Sequence, residues 1–369
     1  MTNKGESQQQ PVGVPAGTPV GGPVEVEVAR RDFLKTAGIG LTGAALGTAA
    51  LGTAALTTAR PAAAQTPIGE KWWPSRWGAD DQAGASNMMG PQKTLEAAQL
   101  IKSGKVHSLG HVYEPEMPLF GQRVFGLRTP GMPTGGVFGD NKILWNDEFL
   151  ATEIGQVGTQ FDGLGHIGVE AGASGDQTER RLYNGVSMAE AASPYGLKKL
   201  GIENVKPFFT PGLLIDVMGL KGGMLDAGTE VTVADLEAAL ARQGLSAEAL
   251  TPGDAVFIRT GWGLLWKEDN DRFNSGEPGI GLDAARWLAA KEVCVVGADC
   301  WGIEVVPNPN SKQVFPAHQE LLVRNGIYLH ENLDFESLAA DSAWQFAYVF
   351  APVPIKGATG SPGNPLAVT

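Results

Sequence analysis

The sequence predicts a single mixed α/β domain preceded by an export signal, and three observations carry that expectation. From Leu213 onward, short apolar runs alternate with segments of helical spacing, the pattern of strands and helices sharing one core. A chain of 369 residues with 43% apolar content can bury a substantial core. Ahead of it, Arg30-Arg31-Asp32-Phe33-Leu34-Lys35 opens an uncharged Ala/Gly/Leu/Thr run that ends at Arg60, the pattern of twin-arginine export.

Taken in order, residues 1–64 are the signal with its N-terminal extension, and Ala62-Ala63-Ala64 offers cleavage before Gln65. An uncleaved membrane anchor is the alternative, weakened by the run's Ala, Gly and Thr content. The leader carries five basic and four acidic side chains, so its removal takes the net charge from −12 to −13. That balance excludes nucleic acid and anionic membrane surfaces as partners, and no stable membrane insertion is expected after cleavage. Residues 65–369 form the domain. A helix is expected over Gln92–Lys102, ended by Ser103-Gly104, and a strand over Val106–Tyr113. The Pro/Gly/Phe-rich stretch from Glu114 to Asp140 reads as an irregular binding or lid loop. Phe120 within it, and Trp77 in the Trp-rich entry segment, are the candidate substrate-binding aromatics. For the tryptophans Trp72, Trp73 and Trp77, packing of a strap or a subunit contact is the competing reading.

Beyond Leu213–Met218, Thr232-Val233-Ala234-Asp235 opens a helix, Ala255–Arg259 is a strand and Leu282–Lys291 a helix. Val293–Ala298, Ile327–Leu333 and Phe346–Val353 complete the strands, with a helix from Pro316 stopped by Gly326. Cys294 and Cys300 are too few for a disulfide framework and read as buried thiols. Neither a Gly-x-Gly-x-x-Gly nor a Walker loop is present, which removes the usual nucleotide-binding readings.

Two segments carry candidate chemistry. Between Gly155 and Gly168 five glycines oppose a helix, whereas an extended chain gives Gln156, Gln160, Asp162 and His166 one parity. Later, His318 shares a helical face with Leu321 and Leu322, and alternation puts Glu331 with Ile327, Leu329 and Leu333 while sending His330 the other way. An inward glutamate with no Lys or Arg on its strand face is costly unless it is neutralised, hydrogen-bonded or metal-bound. His107 and His111 share a strand parity too, but their Val/Leu neighbours suggest an ordinary strand.

Gly158-Thr159-x-x-Asp162, His166, the distant His318 and Glu331-Asn332-Leu333 together resemble the metal-dependent cyclase and kynurenine-formamidase-like hydrolase family. Trp77-Gly78-Ala79-Asp80-Asp81-Gln82, Pro252-Gly253-Asp254, Arg259-Thr260-Gly261-Trp262 and Gly297-Ala298-Asp299 are similar to segments of its isatin-hydrolase-like branch. The resemblance implies a layered β/β/α fold assembled as a homodimer or homotetramer. It implies metal ligation by Asp162, His318 and Glu331, acid/base work by His166, and turn-shaping by Gly158 and Thr159. Where formamidases have two further ligand histidines this chain has Gln156 and Gln160, so one divalent metal is expected. Gln160 is a candidate oxygen ligand and Gln156 a ligand or a neighbour of one. An oxygen-rich set suits manganese at least as well as zinc. The implied activity is hydrolysis of a small amide, either a cyclic amide such as isatin or an aryl formamide, in the periplasm or outside the cell. Ester or lactone hydrolysis, and non-catalytic small-molecule binding, are the alternatives.

Overall fold

The computed structural model describes residues 71–172 and 178–369, so the twin-arginine segment and the Ala62–Ala64 site lie outside the described residues. Its centre is a nine-stranded sheet. In chain order the strands of this sheet, together with four of a projecting segment, are β1 (Val106–Ser108), the projecting β2 (Phe125–Arg128), β3 (Gly135–Phe138), β4 (Ile143–Trp145) and β5 (Phe149–Thr152), then β6 (Gln160–Asp162) and β7 (Phe208–Asp216). They continue as β8 (Ala255–Arg259), β9 (Val295–Ala298), β10 (Tyr328–Glu331), β11 (Gln345–Phe350), β12 (Gly360–Pro362) and β13 (Leu366–Val368). The sheet order is β1-β13-β11-β7-β8-β9-β10-β6-β12. The four strands from β7 to β10 are mutually parallel, and antiparallel strands flank them on both sides.

The parallel centre follows from composition. Leu213–Ile215, Ala255–Ile258 and Val295–Val296 are near-continuous aliphatic runs, buried throughout, as strands covered on both faces require. Helices α1 (Pro91–Ala98) and α2 (Val233–Arg242) pack against β7, and α3 (Leu282–Ala290) lies beside the Pro316 helix. Thr232 caps α2 by accepting from the Asp235 amide while the Asp235 carboxylate accepts from the Thr232 amide, the reciprocal box its sequence announces.

Several elements differ from the sequence expectation. The first helix stops at Ala98, because the Ser103 and Gly104 amides donate to the Thr369 carbonyl and draw that stretch onto the C-terminal strand. The expected strand over Val106–Tyr113 is only Val106–Ser108, with Gly110 bridging instead to Leu333. Glu114–Asp140 is not irregular throughout: β2 pairs with β5 and β3 with β4, forming two ribbons whose outer strands extend to Thr152. Val217 and Met218 leave the sheet to begin a short helix capped by the Asp216 carboxylate. From Pro316 the chain starts as an α-helix and widens into a π turn over Gln319–Arg324.

Candidate metal centre

Register between β6 and β10 builds the floor of the site. Gln160 lies opposite Glu331, Phe161 opposite His330 and Asp162 opposite Leu329. Because side chains alternate along a strand, Gln160, Asp162 and Glu331 share one face, while Phe161 and His330 turn to the other. There His330 meets the edge of the Phe161 ring and its Nδ1 lies 2.7 Å from the Tyr348 hydroxyl; burial alone takes its pKa down to about 3. The parity that separated Glu331 from His330 therefore holds, although both faces of this strand are buried.

The Gln156–His166 segment is not one extended run. Only Gln160–Asp162 is strand, and turns on either side bring Gln156 and His166 back to the same cavity. Gly158 makes the first of these turns possible: its φ of 61° is left-handed, and a Cβ there would press into the Tyr113 ring. Thr159 ties the turn to the end of β10 by donating to the Asn332 carbonyl at 2.7 Å.

His318 enters from the Pro316 helix. Its Nδ1 lies 2.5 Å from Glu304 Oε1, and the amides of Ala317 and His318 donate to the same carboxylate, leaving Nε2 turned toward Glu331 Oε1 at 3.3 Å. Ligand atoms of Asp162, His318 and Glu331 all lie within 4.8 Å of one another, and all three residues are buried. Among the described residues neither Asp162 Oδ2 nor Glu331 Oε1 accepts a hydrogen bond; each faces an imidazole, His166 Nε2 at 3.6 Å and His318 Nε2 at 3.3 Å. Two orphaned carboxylate oxygens facing an imidazole in a buried space are what a divalent cation requires of its donors, so the residues fit one.

The electrostatics record the crowding. Burial raises the Asp162 pKa to about 6, reinforced by Glu331 and opposed by His166 and His318. Burial works to lower His318, but the carboxylates of Glu304 and Glu331 outweigh it and leave the pKa well above the ordinary imidazole value. His166, with Nε2 3.6 Å from Asp162 Oδ2, is lowered by burial despite that carboxylate.

Both glutamines present amide nitrogen, not carbonyl oxygen, to the carboxylates. Gln156 Nε2 donates to Asp162 Oδ1 at 2.7 Å while its oxygen accepts from Arg123. Gln160 Nε2 donates to Glu331 Oε2 and to the Trp301 carbonyl. Because Arg123 offers only donors and a carbonyl only accepts, these surroundings fix each amide's orientation. In this arrangement the amide nitrogens of Gln156 and Gln160, not their oxygens, face Asp162 and Glu331.

Over this floor lies a cavity of about 220 Å³ walled by Phe120, Ile167, Trp301 and Phe315, with Arg123 at its side. Phe120 stacks on Trp301 at 4.1 Å. Trp77 is not part of it; Trp77 lines a separate cleft with Arg76, Met88 and Ile327, so its substrate-binding reading gives way to packing. Nor do His107 and His111 reach the site: His107 bonds Ser337, and His111 stacks on Trp266 at 4.2 Å.

Sequence reasoning missed Glu304, Trp301, Phe315 and Glu277. Glu277 is fully buried beside the site, where it accepts from the Gly302 amide and burial drives its pKa well up. Glu304 had one available signal, a lone acid in the apolar Ile303–Val306 run. For Glu277, in Ser275-Gly276-Glu277-Pro278, the local pattern spells only a turn.

With this geometry the comparisons agree. A model of the Cyclase family matches residues 107–305, and no curated protein matches the chain. A cyclase crystal structure shares 34% identity over 79% of this chain and 98% of its own, with a TM-score of 0.68. Isatin hydrolase A from Ralstonia solanacearum shares the fold at 21% identity, covering 71% of this chain and 91% of its own, TM-score 0.51. An isatin hydrolase bound to the product analogue thioisatinate does so at 20% identity, 76% and 99% coverage, TM-score 0.52. The match over more than half the chain, and the 34% identical relative with the same fold, place this protein in the Cyclase family.

Proposed function

We propose that this chain is a metal-dependent hydrolase that opens a carbon–nitrogen amide bond in a small aromatic molecule. The observation that carries the proposal is the pair of buried oxygens, Asp162 Oδ2 and Glu331 Oε1, that accept no hydrogen bond among the described residues and are gathered with His318 beneath an aromatic-walled cavity. Asp162, His318 and Glu331 would hold one divalent cation, manganese in preference to zinc given two carboxylates and one imidazole. Bound there, such an ion supplies Lewis-acid polarisation of a carbonyl and a water that is nucleophilic near neutral pH.

The chain's own residues do the rest. Gln156 and Gln160 donate to one oxygen of each carboxylate and would leave the other to hold an ion. Glu304 fixes the His318 ring with Nε2 forward. His166, kept neutral at pH 7 by its lowered pKa, can accept a proton at Nε2 and return it to the leaving nitrogen. Phe120, Trp301 and Phe315 clamp a flat ring and exclude water, and the buried Trp301 Nε1 has no hydrogen-bond partner among the described residues, which suits it to a substrate oxygen. That isatin hydrolases share this fold supports a cyclic amide as substrate, with aryl formamides as the second class. The twin-arginine segment supports action in the periplasm or outside the cell, since that route moves folded chains with their metal already in place.

Metal content and hydrolysis of isatin and an N-formyl aromatic amine, measured on one preparation of the chain, test this. About one manganese or zinc per chain is expected, with turnover lost and metal released in Asp162→Ala. A chain that stays metal-free after supplementation and turns over neither compound would defeat the proposal.

A further inference from the structure

A neutral substrate leaves one basic group of the cavity wall without a task. Of the basic side chains lining the cavity, His318 lies between Glu304 and Glu331, and His166 faces Asp162. Arg123 differs. It is half-buried, and among the described residues its side chain forms no ion pair and makes one hydrogen bond, from Nη2 to Gln156 Oε1 at 3.1 Å. A guanidinium presents several N–H donors in a flat fork, so most of those on Arg123 remain unmatched among the described residues.

Two contacts fix where that charge stands. The guanidinium lies over the Phe120 ring, 5.4 Å from its centroid, and Phe120 in turn stacks on Trp301, so the charge belongs to the aromatic wall. Gln156 joins it to the floor: its oxygen accepts from Arg123 while its nitrogen donates to Asp162 Oδ1 at 2.7 Å, so one amide group separates the guanidinium from a proposed ligand. The cavity's 220 Å³ is below the roughly 300 Å³ of the smallest drug-sized pockets, which suits a single ring with small substituents.

We infer that the substrate carries a carboxylate on its aromatic ring, adjacent to the amide, and that Arg123 binds it. This rests on the hydrolase reading and narrows its substrate. The guanidinium fork matches a carboxylate with two parallel hydrogen bonds, which a lone N–H such as Trp301 Nε1 cannot do. The chain's net charge is −12, and Asp162, Glu304 and Glu331 crowd the floor, so an anionic substrate needs a fixed cation at the cavity. A role confined to orienting Gln156 would need only a neutral donor. Seating a neutral ring would also strip water from the Arg123 N–H groups and supply no acceptor in exchange.

Hydrolysis of N-formylanthranilate and of formanilide by the full chain with manganese, beside Arg123→Gln and Arg123→Lys, tests it. The wild-type chain should favour the acid in kcat/KM. In Arg123→Gln that preference should shrink by about 10- to 100-fold, the usual worth of hydrogen bonds to a charged group, chiefly through the KM of the acid. Arg123→Lys should recover part of it. Any disturbance of Gln156 acts on both compounds and cancels in the ratio. A wild-type chain that prefers formanilide, or a ratio unchanged in Arg123→Gln, overturns the inference. If neither compound turns over, isatin hydrolysis tells separately whether the hydrolase reading has failed, and calorimetric binding of anthranilate against aniline decides the anion site. Anthranilate binding weakened in Arg123→Gln supports it; binding that is absent, or equal in the two chains, refutes it.

Discussion

Glu304 is the residue on which the proposed ligand set most depends without belonging to it. Its carboxylate is almost wholly buried, accepts two backbone amides and lies 2.5 Å from His318 Nδ1, so it fixes both the ring plane and the tautomer that frees Nε2. Glu304→Gln keeps the shape and removes the charge. We expect metal affinity to fall by about 10- to 100-fold, the usual cost of losing such a partner. Turnover at saturating metal should recover in part, and titration of the metal-free variant by calorimetry reads the loss directly. Unchanged affinity would mean that the helix alone positions His318. The sequence showed Asp162, His166, His318 and Glu331 because their spacing follows a known pattern. It did not show the hydrogen-bonding role of Gln156, since Arg123 reaches it across a bend in the chain that no local periodicity encodes.

Elements met expectation where a local signal was strong and failed where a distant strand decided. The capped helix after Thr232 and the strand Ala255–Arg259 match because capping chemistry and aliphatic runs act within a few residues. Segments that drew attention through their likeness to relatives prove to be ties. The Asp299 carboxylate accepts from the Thr260 and Gly261 amides and from the Thr260 hydroxyl, joining the ends of β8 and β9. Asp81 accepts from the Tyr183 hydroxyl and from Asn87, holding the entry segment in place. Gly155 is the element-scale position most open to test. Its φ is 73°, and a methyl group there would collide with the Gly360 and Ser361 backbone of β12. Gly155→Ala should cost about 1–3 kcal/mol, as strained left-handed positions do. Urea denaturation checks this, and a midpoint equal to wild type would show that β12 yields at no cost.

For the whole molecule, metal and stability are linked through pH. The Asp162 pKa is raised by burial to about 6, above its unfolded value near 3.9. In the metal-free chain the stability this group contributes is therefore complete below about pH 4 and is lost as pH rises through about 6. A cation needs the deprotonated form, and His318 must also shed the proton that its carboxylate neighbours favour. The rise in Tm on adding saturating manganese should then be larger at pH 7.5 than at pH 5, because protons compete for the same atoms. Calorimetric scans with metal and with chelator at both values measure the difference. Equal shifts would mean that the cation binds elsewhere.

The sequence by itself determined the α/β class, the aliphatic strands and the family likeness, and it singled out Asp162, His166, His318 and Glu331, since these rest on spacing, composition or a known motif pattern. Only the tertiary structure decided that Glu304 orients His318, that Phe120, Trp301 and Phe315 rather than Trp77 wall the cavity, and that both glutamines turn their nitrogens to the carboxylates. Those outcomes depend on the register of β6 against β10, which sets Gln160 beside Glu331 171 positions away, and on turns that fold Glu304 onto His318 and Gln156 onto Asp162, none of which a helical or strand period encodes.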